Sequence, residues 1–166
     1  MEINMAVETS TLRLNSNAFA PGDQIPTKYT ADGADVSPPL SWTGVPKEAR
    51  ELALIVEDPD APQAEPFIHW VIYKIHTSEP GLRETIGKDA KLAAPPGALQ
   101  GQNSFKKIGY NGPAPPRGHG IHHYHFRLYL LDAPLDVRSG LSAGELRLAM
   151  SGHIMDEAEL IGTYQR

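Results

Sequence analysis

Two stretches of the chain, residues 52–57 (LALIVE) and Phe67–Ile75 (FIHWVIYKI), are largely apolar at odd and even positions alike. Side chains of a strand alternate between faces, so such runs must be covered on both sides and belong in the middle of a sheet. Between them lies Asp58-Pro59-Asp60-Ala61-Pro62, where proline cannot continue a ladder. A third strand, inside residues 110–132 (YNGPAPPRGHGIHHYHFRLYLLD), alternates cleanly. His122, Tyr124, Phe126, Leu128 and Leu130 share one face; His123, His125, Arg127 and Tyr129 share the other. The first face turns apolar as it proceeds and is expected to look into the core. With 15 glycines and 15 prolines in 166 residues, turns are frequent and long helices few. These features predict one mainly β domain spanning residues 1–166.

Elsewhere turns punctuate the chain. Residues 11–19 predict an opening strand with Leu12, Leu14 and Phe19 inward, followed by a turn at Pro21-Gly22. Residues 25–42 are irregular: Asp32-Gly33 predicts a turn, and Pro38-Pro39 cannot donate to a ladder. Residues 77–104 show no sustained period, and a loop of that length carries function or short pieces of structure. Near the end, Ser142 and Glu145 have capping-box spacing, and Leu146, Met150 and Ile154 lay an apolar stripe at helical spacing. Gly152 weakens that helix and Gly162 is expected to stop it. His153 falls on the same helix as a packing or capping residue, and His76 reads as surface at a strand exit. Glu65-Pro66 permits a cis bond.

The absence of cysteine excludes thiol catalysis, a disulfide framework and Cys-ligated zinc, and fits a reducing, cytoplasmic compartment. The opening MEINMAVETST has neither the basic segment nor the apolar core of a signal peptide. No apolar run approaches a membrane span, so stable membrane anchoring is not expected. A net charge of -5 argues against nucleic acid as a partner, because phosphate backbones require a basic face. A chain of this size buries about 70% of its unfolded surface and needs no cofactor or metal in order to fold.

Each of the three confident strands delivers polar groups near one end. Asp58 continues the face of Leu52, Leu54 and Val56; His69 follows the parity of Phe67, Val71 and Tyr73; His122 and Tyr124 open the third face. If the strands adjoin in suitable directions, these groups converge. Asp58 beside an imidazole would favour its protonated form. A protonated His, a Tyr hydroxyl and loop N–H groups around Gly112 and Ala114 would suit a phosphate or carboxylate, with prolines 113, 115 and 116 stiffening the loop. Residue types alone equally allow satisfied core polar groups, with Asp58 as a turn cap.

The motifs SPPLSW (37–42), DPDAP (58–62), His69-Trp70, GxNxF (101–105), GYNGPAPP (109–116) and GIHHYHF (120–126), with the ending GHI…GTYQR, cover nearly the whole chain. In this combination and order the sequence resembles the phosphatidylethanolamine-binding protein (PEBP) family, in particular its bacterial Raf-kinase-inhibitor-like branch. The resemblance implies an antiparallel β-sandwich with Greek-key connections and a short C-terminal helix. It also implies a conserved anion pocket, whose residues fall here on Asp58, His69, Gly112, Ala114, His122 and Tyr124. Bacterial relatives commonly carry Cys, and eukaryotic ones Gly, at the position of Ala114, where a methyl group should narrow the pocket slightly. The long C-terminal helix that flanks the pocket in mammalian members has no counterpart after Tyr164. The implied role is a non-enzymatic module that binds a small anion or phosphorylated ligand. Two alternatives stand beside it: inhibition of a kinase or protease partner, and hydrolysis with Asp58 and the histidines as acid–base groups. An oligomer is compatible with either binding role.

Several residues have plainer readings. His123 and His125, with His119 nearby, imitate a His-x-His metal pair, but they share the outward face with Arg127 and no Glu follows at suitable spacing, so no metal is expected. Asp60 imitates the second member of a catalytic carboxylate pair, but its proline-rich setting makes it a turn-stabilising residue. There is no G-x-S-x-G nucleophile elbow.

Overall fold

The computed structural model describes residues 10–166; the opening residues on which the signal-peptide expectation rests lie mostly outside them. Two antiparallel sheets pack face to face. The smaller contains β1 (Arg13–Asn15), β2 (Leu40–Thr43) and β5 (Gly81–Leu82) in the order β1-β2-β5. The larger contains β3 (Glu51–Asp58), β4 (Phe67–Ile75), β6 (Leu99–Gln100), β7 (His122–Leu131) and β8 (Ile154–Tyr164) in the order β6-β4-β3-β7-β8. One helix, α1 (Ala143–Met150), covers the outer face of the larger sheet.

This layering explains the doubly apolar strands. Leu52, Leu54 and Val56 of β3 pack with Leu14, Trp42 and Phe126 between the sheets. Ala53 and Ile55 pack with Val71, Tyr129, Leu146 and Met150 beneath α1. Both faces of the central strands are therefore buried although every pairing in the sheet is antiparallel. The inward face predicted for β7 is buried along its whole length, and Leu12, Leu14 and Phe19 point inward as expected. The opening strand itself is only three residues long.

The C-terminal expectation needs correction. Ser142 caps α1 with a complete capping box, but the helix stops at Met150, and Gly152 takes a left-handed turn at φ +83°. Ile154 lies in β8, which pairs with β7 from Leu131↔Ile154 to His122↔Tyr164. Gly162 is a strand residue opposite Tyr124, where an added Cβ would meet Phe19 and Ile25 at 2.6 to 2.9 Å. Its role is close packing, not helix termination. His153 lies in the turn between α1 and β8, with Nδ1 3.1 Å from Asp132.

The stretch 77–104 holds β5, β6 and the structure's cis peptide, Ala94-Pro95; Glu65-Pro66 is trans. Buried Gln100 ties this segment to the sheet by accepting from Trp70 Nε1 at 2.7 Å and donating to the carbonyls of Gly87 and Asp89 at 2.8 Å. No helix among the described residues is long and apolar enough to cross a membrane.

Candidate functional site

The ends of β3, β4 and β7 meet at one end of the larger sheet. Asp58 closes β3, and both its oxygens are engaged. Oδ1 accepts the Asp60 amide at 2.8 Å, which shapes the proline-bounded turn, and Oδ2 lies 2.6 Å from His122 Nδ1. A carboxylate can only accept, so His122 donates through Nδ1. His122 Nε2 in turn lies 2.6 Å from Nδ1 of exposed His119.

His69 arrives here by a route that strand parity does not predict. Counting alternately from Val71 and Tyr73 sends it to the face beneath α1. The register shows otherwise: Val56 opposes Trp70, but the next residue, Glu57, opposes Ile68. His69 is the extra residue of a β-bulge, and the bulge brings it beside Tyr124, with ring centroids 5.2 Å apart. Re-aiming one side chain next to a site is a common use of a bulge.

His69 is buried, and its Nδ1 donates to the Asn111 carbonyl at 2.7 Å. Burial lowers its pKa below the ordinary value, against the opposing pull of the Asn111 carbonyl and Asp58. The expected cationic imidazole is therefore not His69. With Nδ1 donating and the ring neutral, Nε2 presents a lone pair.

Tyr124 supplies the complementary donor. Its hydroxyl is buried without a hydrogen-bond partner among the described residues. Burial, followed by the charge of Asp58, raises its pKa well above the ordinary tyrosine value, so it stays protonated. The ring stacks on His122 at 6.4 Å and meets His69 edge-on.

These groups line a cavity of about 280 Å³ with Asp58, Gln63, His69, His122 and Tyr124 as its polar part. Phe67, Phe105, Pro62, Pro115 and Pro116 form an apolar wall. Phe105 packs edge-on against Phe67 at 4.8 Å and remains 36% exposed at the rim. Ala114 also lines the cavity.

Gly112 does not join this lining. Its N–H donates to Asp35 Oδ1 at 2.6 Å, and a Cβ would lie 2.1 Å from the Tyr29 carbonyl. Glycine is required there for close backbone approach. The loop donor expected from Gly112 is already committed behind the pocket.

Sequence reasoning also missed the supports. Asn103 donates to the Gly109 carbonyl and to Asn111 Oδ1, both at 2.9 Å, and accepts the Phe105 amide at 2.9 Å. One side chain thus places the rim phenylalanine and the loop that holds His69. The GxNxF motif carried this signal, but nothing in it announced a cavity wall. Asp60 stands outside the pocket: its Oδ2 accepts from His123 N and pairs with His123 Nδ1, each at 2.8 Å. His125 pairs with Glu159 at 3.0 Å. Both outward histidines of β7 are thus paired with carboxylates, His125 sharing Glu159 with Arg127.

The family model described as phosphatidylethanolamine-binding protein matches residues 15–165. A UPF0098 protein of Pyrococcus abyssi is 47% identical over 151 residues, covering 91% of this chain and 84% of that protein. Among solved structures, a PEBP homologue of Chlamydia trachomatis is similar with a TM-score of 0.84 at 40% identity, covering 95% of this chain and 99% of that one. Escherichia coli YbcL gives a TM-score of 0.87 at 29% identity over the same shares.

Proposed function

The chain belongs to the phosphatidylethanolamine-binding protein family, and from that premise we propose that it is a non-enzymatic binding module whose cavity holds a small anion, the phosphoryl group of a larger molecule. The observation that carries this reading is the Tyr124 hydroxyl: a buried donor, kept protonated, beside a cavity and without an internal acceptor. An unpaired buried hydroxyl costs about 1–3 kcal/mol, which a ligand oxygen recovers on binding. Ala114 lines the same cavity and its N–H has no acceptor among the described residues, so on this reading it serves as a second donor. The His69 lone pair accepts from a protonated phosphoryl oxygen, so the cavity suits a partly protonated phosphoryl group better than a fully ionised one.

The apolar wall of Phe67, Phe105 and the prolines covers the organic part next to the phosphoryl group. At about 280 Å³ the cavity is of head-group size and lies at the small end of ligand pockets. Phosphoethanolamine therefore fits the reading, whereas acyl chains would have to stay outside.

The test is a ¹H–¹⁵N chemical-shift titration with inorganic phosphate and, in parallel, with phosphoethanolamine. Shifts are expected at Ala114, His122 and Tyr124. Tyr124→Phe should weaken binding about tenfold, the equivalent of one ordinary hydrogen bond, and His122→Ala should abolish the response while the rest of the spectrum stays native. Tighter binding of phosphoethanolamine than of phosphate would assign the apolar wall to ligand recognition. Unchanged binding in both variants would overturn the proposal.

A further inference from the structure

The relay behind the pocket continues past it to the surface. Asp58, His122 and His119 are joined by two contacts of 2.6 Å each. Their proton positions follow from the buried end. Asp58 can only accept, so His122 donates through Nδ1; with His122 in its neutral form Nε2 is left to accept, and His119 donates to it through Nδ1. The lone pair of His119 is thereby fixed on Nε2, which has no hydrogen-bond partner among the described residues.

The loop that carries His119 suits reaction at this atom. His119 stands between Gly118 and Gly120, at φ +76° and +93°, and a Cβ at either glycine would meet nothing within 4 Å. The backbone is nevertheless pinned: His119 N donates to the Pro116 carbonyl at 3.1 Å, and Gly118 N to the Arg166 carbonyl at 3.2 Å. Arg117, exposed two residues earlier, adds positive charge to the loop. His119 is thus accessible, held in one tautomer, and backed by a desolvated acceptor.

We propose that His119 is a phosphoryl-accepting residue. Nε2 attacks the phosphorus of a reactive donor, an acyl phosphate or a phosphoramidate. The N–P bond forms, and the donor's P–O or P–N bond breaks with its electron pair leaving on the carboxylate or amine. The positive charge that develops on the His119 ring is relieved as its Nδ1 proton passes to His122 Nε2, where the imidazolium is balanced by Asp58. No electron donor or acceptor is needed. The role differs from ligand holding in the cavity, which His119 does not line.

The neighbouring histidines provide internal controls. His123 also faces a carboxylate, but the side chains of His123 and Asp60 are 52% and 41% exposed, against 2% and 4% for His122 and Asp58. A solvated carboxylate partner adds little to basicity or alignment.

The experiment treats the full chain with potassium phosphoramidate and follows intact mass, ³¹P NMR at alkaline pH and peptide mapping. One acid-labile phosphoryl group per chain is expected on His119. It should be absent in His119→Gln, slowed roughly 100-fold in Asp58→Asn and His122→Gln, at the lower end of what a positioned acid–base partner supplies, and unchanged in His123→Gln and His153→Gln. Circular dichroism of His119→Gln separates loss of the acceptor from loss of fold. Labelling that survives in His119→Gln, spreads evenly over the exposed histidines, is undiminished in both relay variants, or does not occur at all would overturn the proposal. None of these results bears on phosphate titration of the cavity, so the two readings fail separately.

Discussion

Asp58 and Asp60 are two residues apart in one turn, and His122 and His123 are neighbours on one strand, so the structure holds two carboxylate–imidazole pairs with nearly the same local sequence. Parity separates them. Asp58 and His122 turn into the sandwich and meet at 2.6 Å, almost wholly buried; Asp60 and His123 turn outward and meet at 2.8 Å in solvent. The chemistry is the same and the dielectric is not. In the interior an unpaired polar atom is costly, so the pair holds its partners in place and aligns a cavity wall. At the surface, water can replace either partner, and the pair is left to pin the turn to the start of β7.

The largest break in this comparison is expected from Asp58→Ala. It removes the acceptor of both His122 Nδ1–H and the Asp60 amide. Each stranded donor costs about 1–3 kcal/mol, so stability should fall by about 3 kcal/mol, and the phosphate response should vanish. Urea unfolding at neutral pH measures the first effect. A loss below 1 kcal/mol would mean that the buried pair is no more important than the exposed one.

The second effect confined to the buried side is pH dependence. The folded pKa of His69 lies below its unfolded value near 6.5. The unfolded chain therefore binds more protons between those two values, and stability rises with pH across that window. His69 contributes its full stabilisation above pH 6.5 and loses it as pH falls toward the folded pKa. Urea midpoints at pH 7.5 and 5 should differ more in the native protein than in His69→Gln. Equal differences would place the pH sensitivity elsewhere.

Tyr124→Phe should move stability in the opposite direction. Removing a hydroxyl that has no partner relieves about 1 kcal/mol of desolvation, so the variant should unfold at a slightly higher urea concentration while binding phosphate less well. Gained stability with lost affinity is the signature of a group held for a ligand. A loss of stability would show that the hydroxyl has an internal partner after all.

The residues themselves disclosed much of this arrangement and concealed specific parts. The apolar runs of β3 and β4 and the alternation of β7 encode burial, which side-chain chemistry expresses directly. The bulge at His69 was hidden because one unpaired residue reverses parity without leaving a compositional mark. The strand β8 was hidden because residues 157–160 (EAEL) are good helix formers; pairing with β7 over its whole length overrides their propensity, and buried Leu160, Gly162 and Tyr164 show the strand period only once the partner is known. Gly112 looked like a donor because a glycine-rich loop offers free N–H groups, yet the direction of that N–H is set by Asp35, distant in sequence. The link between His119 and His122 was not read because three-residue spacing across a loop has no fixed geometry.

The smallest effect is the one expected at the surface pair. Asp60→Ala removes the acceptor of His123 N and Nδ1, but water reaches both. Burial pushes the Asp60 carboxyl upward, and hydrogen bonds from His123 outweigh it to leave the folded pKa below the ordinary value. The contribution is therefore present above the unfolded pKa near 3.9 and is lost as pH falls through the folded one. Solvent screening limits it to about 0.2–1 kcal/mol at neutral pH, a difference that salt should diminish further. Phosphate binding should be unchanged, because Asp60 lies outside the cavity lining. If Asp60→Ala instead weakened phosphate binding as much as Asp58→Ala, the turn would be acting as one rigid unit, and the division between the pairs would rest on backbone geometry and not on burial.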